Sequence, residues 1–290
     1  MEIRELERLL IKERERATNL DDNDDDTVME FLKANIKHDF NDNPQGSECT
    51  PFYLLCREGS SEMVKFVMDN ANVDINKPSG FAKKRPLLIS MFNPDKEVAF
   101  LLLERKEIDL GIDEHGSNVI HYACGGNRID VLKRFISDET FDINLVNKNG
   151  YAPVWNPVWR FYNDIVELML DHPRLNPNVS DEFHYNPLAL AHSIGNENAV
   201  RMLVKDRRTD VNMEFKDSSM KGIRLFYYFC DFKIPEAVSL MLEREDLEVN
   251  FKTPSNDTPI QKVVLSGNVE HVRLLLNSSH HFRNTKGSCL

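Results

Sequence analysis

One unit of this chain recurs at a nearly constant interval, and this repetition restricts the fold more than any other feature. In the clearest copy, residues 113–144, a tight turn precedes a short helix around Ala123, a Gly-Gly-Asn break and a second helix through Leu132. Two positions mark the unit, and in every copy the second follows the first by 20 residues. The first marker position is occupied by Cys56, Met91, Cys124, Val158, His192, Cys230 and Val264, and the second by Asn76, Gly111, Asn144, Asn178, Asn212, Asn250 and Asn284. All variation in length therefore falls in the turns, as expected for stacked repeats.

A turn followed by two antiparallel helices resembles the ankyrin repeat, which has a period of about 33 residues and a T-P-L-H-x-A opening. Thr50-Pro51 and Thr258-Pro259 keep the Thr-Pro pair, and His121 keeps the histidine. Prolines that suit the first turn of a helix are predicted to begin the first helix at Pro51, Pro86, Pro153, Pro187 and Pro259. The joints between copies look like the divergent ankyrin families of protists, large DNA viruses and intracellular bacteria. The resemblance implies an all-α ankyrin-repeat solenoid of about seven full repeats over residues 43–290.

Residues 1–42 are predicted to form an N-terminal helical cap with a partial repeat. One stripe of a charged helix holds Ile3, Leu6, Leu9 and Leu10, and Asn41 falls in register with the second marker position. The acidic run at residues 21–26 fails the EF-hand pattern, which needs Gly at position 6 and Glu at position 12, so we interpret it as a polar linker. No comparable cap follows Asn284, which leaves open that this is a region of a longer protein.

The composition and net charge indicate which partners and which cellular compartment to expect. The net charge of −11 argues against nucleic acid as a partner. There is no apolar window long enough to span a membrane and no secretory signal. Three of the five cysteines occupy the first marker position, which favours small buried side chains in a reducing compartment. We expect a monomeric cytoplasmic protein that is not associated with a membrane.

No pattern typical of catalysis is present. The sequence has no phosphate-binding glycine loop, no paired Cys/His ligand spacing and neither a G-x-S-x-G nor an H-E-x-x-H motif. We predict that His192 is a core residue, and the ankyrin resemblance implies a hydrogen-bonding role for His121. The chain is therefore expected not to be an enzyme and to have no catalytic residue, cofactor or metal.

The resemblance implies a binding surface made of the turn tips and the exposed flank of each first helix, which together form a concave face. Aromatic side chains are abundant there in the fourth to sixth repeats, and Trp, Tyr and Arg are the residues enriched at interface hot spots. The predicted protein-binding residues are Phe81, Phe92, Tyr151, Trp159, Arg160, Phe183, Tyr185, Phe215, Lys221 and Phe232. The centre of the site is predicted at Trp159, Tyr185 and Phe232.

Packing is the competing interpretation of these aromatic residues. Trp155 stands where the ankyrin motif has its histidine and is predicted to fill the core. Pro157 would interrupt the first helix of the fourth repeat, at a cost of about 3 kcal/mol, and could turn Trp159 inward. The same interruption makes the fourth repeat a candidate hinge.

The expected function is that of a non-catalytic scaffold or adaptor that binds another protein on its concave face. One alternative is a regulatory or targeting region of a larger multidomain enzyme or channel. Another is a secreted effector that acts on a host. The partner itself has no sequence signature, because repeat surfaces share no motif.

Overall fold

The computed structural model describes residues 3–17, 25–43, 49–80, 82–138, 141–181, 185–216, 220–230 and 235–277. These residues form helices and turns, with two isolated β-bridges and no strand among them. The helices are α1 (Ile3–Ala17), α2 (Asp25–Asn35), α3 (Pro51–Glu58), α4 (Ser61–Asn70), α5 (Pro86–Ser90), α6 (Glu97–Leu103), α7 (Val119–Gly125), α8 (Ile129–Ile136), α9 (Trp155–Trp159), α10 (Asn163–Leu170), α11 (Pro187–Ile194), α12 (Glu197–Lys205), α13 (Leu225–Phe229), α14 (Pro235–Leu242), α15 (Pro259–Leu265) and α16 (Val269–Asn277).

The chain divides into two compact units, Met1–Glu139 and Thr140–Leu290. In the first unit α1 packs on α2 and α3, and the helix pairs α3/α4, α5/α6 and α7/α8 follow in order. The pairs α9/α10, α11/α12, α13/α14 and α15/α16 make up the second unit. First helices contact first helices and second helices contact second helices, for example α3 with α5 and α10 with α12. The predicted all-α class and ankyrin-type stacking are confirmed.

The first helices begin where local chemistry favours a start. Proline is the first residue of α3, α5, α11 and α15, and the preceding Thr50, Asn186 and Thr258 accept hydrogen bonds from the free N–H groups of the first turn. The prediction for Pro153 is wrong, because α9 begins two residues later, at Trp155.

The first marker position forms the core, as its small apolar residues suggest. Cys56, Met91, Cys124, Val158, His192 and Cys230 are all fully buried. Burial raises the pKa of the Cys56 and Cys124 thiols above the ordinary value, which keeps them protonated. The core prediction for His192 is confirmed, and its ring stacks on that of Phe229 with 4.0 Å between centroids.

The last helix pair departs from this pattern. Val264, at the first marker position of α15, is 55% exposed, and Leu265, Val269 and Leu276 are exposed as well. Position 276 corresponds to Val204 and Leu242 in the two preceding pairs, and both of those residues are buried. Asn284 and the other residues after 277 lie outside the part of the chain that the structure describes.

The asparagines at the second marker position join consecutive repeats through one recurring pair of hydrogen bonds. The Asn144 Nδ2 donates to the carbonyl of Arg174 at 2.7 Å, and its Oδ1 accepts from the N–H of Asn176 at 2.8 Å. We call this series the asparagine ladder. Its members are Asn41, Asn76, Asn144, Asn178 and Asn212. Asn41 makes the same bonds from the predicted cap, as its register indicates, whereas Gly111 has no side-chain amide to contribute.

His121 has the hydrogen-bonding role that the resemblance implies. Its backbone N–H donates to Asn118 Oδ1 at 3.1 Å, and its Nδ1 lies 3.2 Å from the Asn118 N–H, which completes a capping box at the start of α7.

Candidate functional site

A cavity of about 450 Å³ opens on the second unit at the turns and first helices of two successive helix pairs. Aromatic side chains dominate its wall. We call it the aromatic groove, and its lining residues are Tyr151, Trp155, Asn156, Trp159, Asp181, Tyr185, Leu190 and Ser193. The turn tips and first helices are the elements from which the sequence predicted a binding surface.

Two equivalent turns place the two tyrosines of the aromatic groove. The Asn147 N–H donates to the Tyr151 carbonyl at 3.0 Å, and the Tyr151 N–H donates back to Asn147 Oδ1 at 3.1 Å. One repeat later, the Asp181 N–H donates to the Tyr185 carbonyl at 3.1 Å and the Tyr185 N–H donates to Asp181 Oδ1 at 2.9 Å. Since the same turn is used twice, Tyr151 and Tyr185 occupy equivalent positions and line the same cavity.

The two tryptophans of the chain both line the aromatic groove but differ in exposure. Trp155 is only 7% exposed; its Nε1 donates to the Val179 carbonyl at 3.3 Å and its ring lies 5.2 Å from that of Tyr151. This confirms the prediction that Trp155 fills the core. Trp159, four residues later, is 60% exposed. Trp155 therefore forms the floor of the aromatic groove and Trp159 its rim.

The late start of α9 removes the reason for expecting Trp159 to point inward. Pro157 is the third residue of α9, in a first turn whose N–H groups have no partner within a helix. The predicted interruption in mid-helix is therefore wrong, and so is the inward orientation of Trp159 that it suggested. Without that interruption the cost assigned to Pro157 does not arise, and the hinge stays a prediction.

Tyr185 is half-buried and held by its neighbours. Its hydroxyl donates to the Met220 Sδ at 3.3 Å, and its ring lies 5.0 Å from that of Phe215. Phe215 itself is fully buried, so its predicted place on the binding surface is wrong. A hairpin explains this burial: the Phe215 N–H donates to the Ile223 carbonyl at 2.9 Å, and the ring packs against those of Tyr185 and Tyr228.

Among the other predicted binding residues, those that the structure describes do not line the aromatic groove. Arg160 and Lys221 are exposed. Phe92 is exposed in the first unit, with its ring 6.0 Å from that of Tyr122 in an edge-on arrangement. Phe81, Phe183 and Phe232 lie outside the residues that the structure describes.

Phe161 is an unusual residue beside this site that the sequence analysis did not single out. It has a φ of 60°, in the left-handed region, and is 51% exposed. Glycine or asparagine occupies the equivalent position after other first helices, with positive φ at Asn127, Gly195 and Gly267. A left-handed conformation costs a residue with a side chain about 1–2 kcal/mol. The signal that could have identified it is the position three residues after the first marker position, where glycine or asparagine stands in four of the other six copies.

Asp181 contributes a carboxylate to the wall of the aromatic groove. Across the residues with described positions, no group of three or more His, Cys, Asp or Glu side chains is arranged to hold a metal ion. The helices with described residues include none that is both long and apolar enough to cross a membrane.

Residues 120–217, which include the entire aromatic groove, match the family model for ankyrin repeats in three copies. The chain is also 22% identical over 174 residues to the human transient receptor potential cation channel subfamily A member 1, across 58% of this chain and 15% of that protein. It is 26% identical over 155 residues to the ankyrin repeat protein nuc-2 of Neurospora crassa, across 53% of this chain and 14% of that protein. The matched region thus spans about a seventh of the length of each of these relatives.

Proposed function

We propose that this chain, which is an ankyrin-repeat protein, is a non-catalytic scaffold or adaptor that binds a protein partner through the aromatic groove. Ankyrin repeats generally mediate protein–protein interaction, which supports this class of function. The proposal is specific in placing the contact at Tyr151, Trp159 and Tyr185.

The observation that carries the proposal is the exposure of Trp159. A tryptophan with 60% of its surface in water gains little from folding, and it stands beside a cavity with a buried aromatic floor. Exposed aromatic rims around a cavity are typical of interface hot spots, because a ring gives a large contact area for few rotatable bonds. Tyr151 and Phe161, both partly exposed, extend the apolar surface before and after the same helix.

Phe92, Arg160 and Lys221 are further proposed contact residues, since each is exposed. Phe81, Phe183 and Phe232 are proposed on the sequence pattern alone. We further propose a cytoplasmic location, because cysteines at the first marker position serve as small buried side chains. A net charge of −11 argues against a nucleic-acid partner.

The test is capture of a partner from the native cytosol by wild type, by a Tyr151→Ala/Trp159→Ala variant and by Ile112→Ala. Ile112 is an exposed apolar residue outside the aromatic groove and serves as the matched control. We expect wild type and Ile112→Ala to capture the same partner and the double variant to lose it, with all three melting at similar temperatures. Equal capture by the double variant would refute the aromatic groove as the binding site.

A second candidate function is that of a regulatory or targeting region within a larger protein. Similarity to a cation channel, of which the match covers 15%, favours it. The size of the native protein distinguishes the two candidates. An antibody against the ankyrin repeats should detect a species much longer than 290 residues if the chain is such a region.

A further inference from the structure

We propose that Asn149 is a modification site, at which the side-chain amide reacts with the backbone nitrogen of Gly150 and is converted to aspartate or isoaspartate. The site lies in the turn that positions Tyr151 at the aromatic groove. The reaction is spontaneous and needs no partner, so this inference goes beyond the proposed function.

Asn149 combines exposure with the most favourable following residue. Asn149-Gly150 is the only Asn-Gly pair in the sequence. The side chain of Asn149 is exposed, and its amide makes no hydrogen bond to any residue with a described position. Its backbone N–H is engaged, since it donates to Asn147 Oδ1 at 3.0 Å. The amide can therefore rotate toward the next peptide group without breaking a side-chain contact.

The turn favours glycine at position 150 but does not require asparagine before it. Gly150 has a φ of 81°, in the left-handed region that glycine adopts at no steric cost. In the equivalent turn of the first unit, Gly116 has a φ of 77° and follows His115. Because glycine has no Cβ, its nitrogen is accessible to the amide carbon of Asn149. The asparagine is thus the part of the pair that folding does not explain.

The reaction consumes only water and releases only ammonia. The Gly150 nitrogen attacks Cγ of Asn149, and a C–N bond forms there while the bond from Cγ to the side-chain NH2 group breaks. Ammonia leaves with the proton of the Gly150 N–H. Water then opens the five-membered imide at either carbonyl. Cleavage of the new Cγ–N bond gives aspartate, and cleavage of the original peptide C–N bond gives isoaspartate.

Either product changes the turn that holds Tyr151. Both products carry a negative charge at neutral pH, and isoaspartate also adds one carbon to the backbone between residues 149 and 150. Two hydrogen bonds enclose this peptide group: the Asn147 N–H donates to the Tyr151 carbonyl at 3.0 Å, and the Tyr151 N–H donates to Asn147 Oδ1 at 3.1 Å. A longer backbone inside this closed turn displaces Tyr151 from its place in the aromatic groove.

One contact of the turn slows the reaction. The Gly150 N–H donates to the Asn147 carbonyl at 2.9 Å, and the attacking nitrogen must leave this acceptor and lose its proton. One hydrogen bond of this type should slow the attack about two- to tenfold relative to an unfolded peptide of the same sequence.

The test compares the full chain with a synthetic peptide of residues 147–153, both incubated at mildly alkaline pH. An arginine-specific protease then releases residues 135–160 of the chain, since Arg134 and Arg160 are consecutive arginines. The same fragment contains Asn156, which is followed by Pro157 and cannot react, because proline has no N–H. Tandem mass spectrometry compares the two asparagines within one molecule.

We expect Asn149 to be converted about two- to tenfold more slowly in the chain than in the peptide, and Asn156 to remain unchanged. Conversion of Asn149 that does not exceed that of Asn156, over the time in which a tenfold slower site would be half-converted, would overturn the assignment.

The effect on the aromatic groove is measured by partner capture with fresh and aged protein. Asn149→Ala removes the reactive amide and is the matched control. Aged wild type should capture less partner than fresh wild type, and aged Asn149→Ala as much as fresh Asn149→Ala. Undiminished capture by converted wild type, or an equal loss in both aged proteins, would overturn the effect on Tyr151. The proposed function fails by a different result, which is capture by the fresh Tyr151→Ala/Trp159→Ala variant.

Discussion

The asparagine ladder depends on a residue that recurs from repeat to repeat, whereas the aromatic groove depends on residues that do not recur. In the ladder, asparagine makes the same two hydrogen bonds to the following repeat at five positions, and Gly111 interrupts the series. In and beside the aromatic groove, two equivalent turns set the positions of the tyrosines, but no other helix pair has a tryptophan at the positions of Trp155 and Trp159 or an aromatic residue at the position of Phe161. The repeated residues build the stack, and the residues that depart from the repeat are the ones that we propose for recognition.

Phe161 and Gly195 show this contrast between recurring and non-recurring residues at equivalent positions of two repeats. Gly195 takes a left-handed conformation at no steric cost, with open space around its Cα, whereas Phe161 takes the same conformation with a half-exposed ring. Because Phe161 is 51% exposed, much of its ring gains nothing from burial that would offset this cost. A residue that breaks a local rule without gain in packing is typical of a functional site.

The largest effect on stability is expected at Trp155, the buried floor of the aromatic groove. Trp155→Ala should lower the free energy of unfolding by about 3–5 kcal/mol, because it removes a buried ring and leaves a cavity. Urea denaturation followed by circular dichroism measures this. A loss below about 1 kcal/mol would mean that Trp155 is part of the recognition surface and not of the core.

An intermediate effect is expected in the asparagine ladder. Asn178→Ala removes a hydrogen bond to the Arg208 carbonyl and another from the Asp210 N–H, both 2.7 Å long. At about 0.5–1.5 kcal/mol each, their loss should destabilise the protein by about 1–3 kcal/mol. The control is Asn149→Ala, an exposed asparagine outside the ladder, which should change stability by less than about 0.5 kcal/mol. Similar values for the two variants would show that the ladder does not hold the stack together.

A smaller effect of opposite sign is expected at Phe161. Phe161→Asn should stabilise the protein by about 1 kcal/mol, since asparagine tolerates a left-handed backbone, as Asn127 does at a φ of 55°. The reciprocal change Gly195→Ala should destabilise by about 1 kcal/mol, because no neighbouring atom lies near the added methyl group and only the backbone is strained. Thermal melts of both variants check this pair. Destabilisation by Phe161→Asn would show that the ring contributes to packing.

The smallest effect on stability is expected at the rim. Trp159→Ala should change the free energy of unfolding by less than about 0.5 kcal/mol, because the ring is mostly exposed. A larger loss, measured in the same urea titration, would show that the Trp159 ring contributes to packing.

The features that recur in every repeat, such as the register and the core positions, could be predicted from the sequence. A constant spacing fixed the register, so the burial of Cys56 through Cys230 and the equivalence of Asn41 to the later asparagines followed from counting residues, whereas the hydrogen bonds of the ladder did not. Three features did not follow. The start of α9 depends on whether Pro157 can be placed in a first turn, the burial of Phe215 depends on a hairpin contact with Ile223, and the conformation of Phe161 depends on how α9 ends. Each of these is decided by local geometry at one site, where the repeat gives no information.

The central claim is that the rim of the aromatic groove serves recognition and not folding. The most direct measurement is the affinity of wild type and Trp159→Ala for the captured partner, together with the melting temperature of each. We expect Trp159→Ala to weaken binding at least about tenfold, as for a residue at an interface hot spot, with an unchanged melting temperature. Unchanged affinity, or a fall in melting temperature that accounts for the lost binding, would contradict the claim.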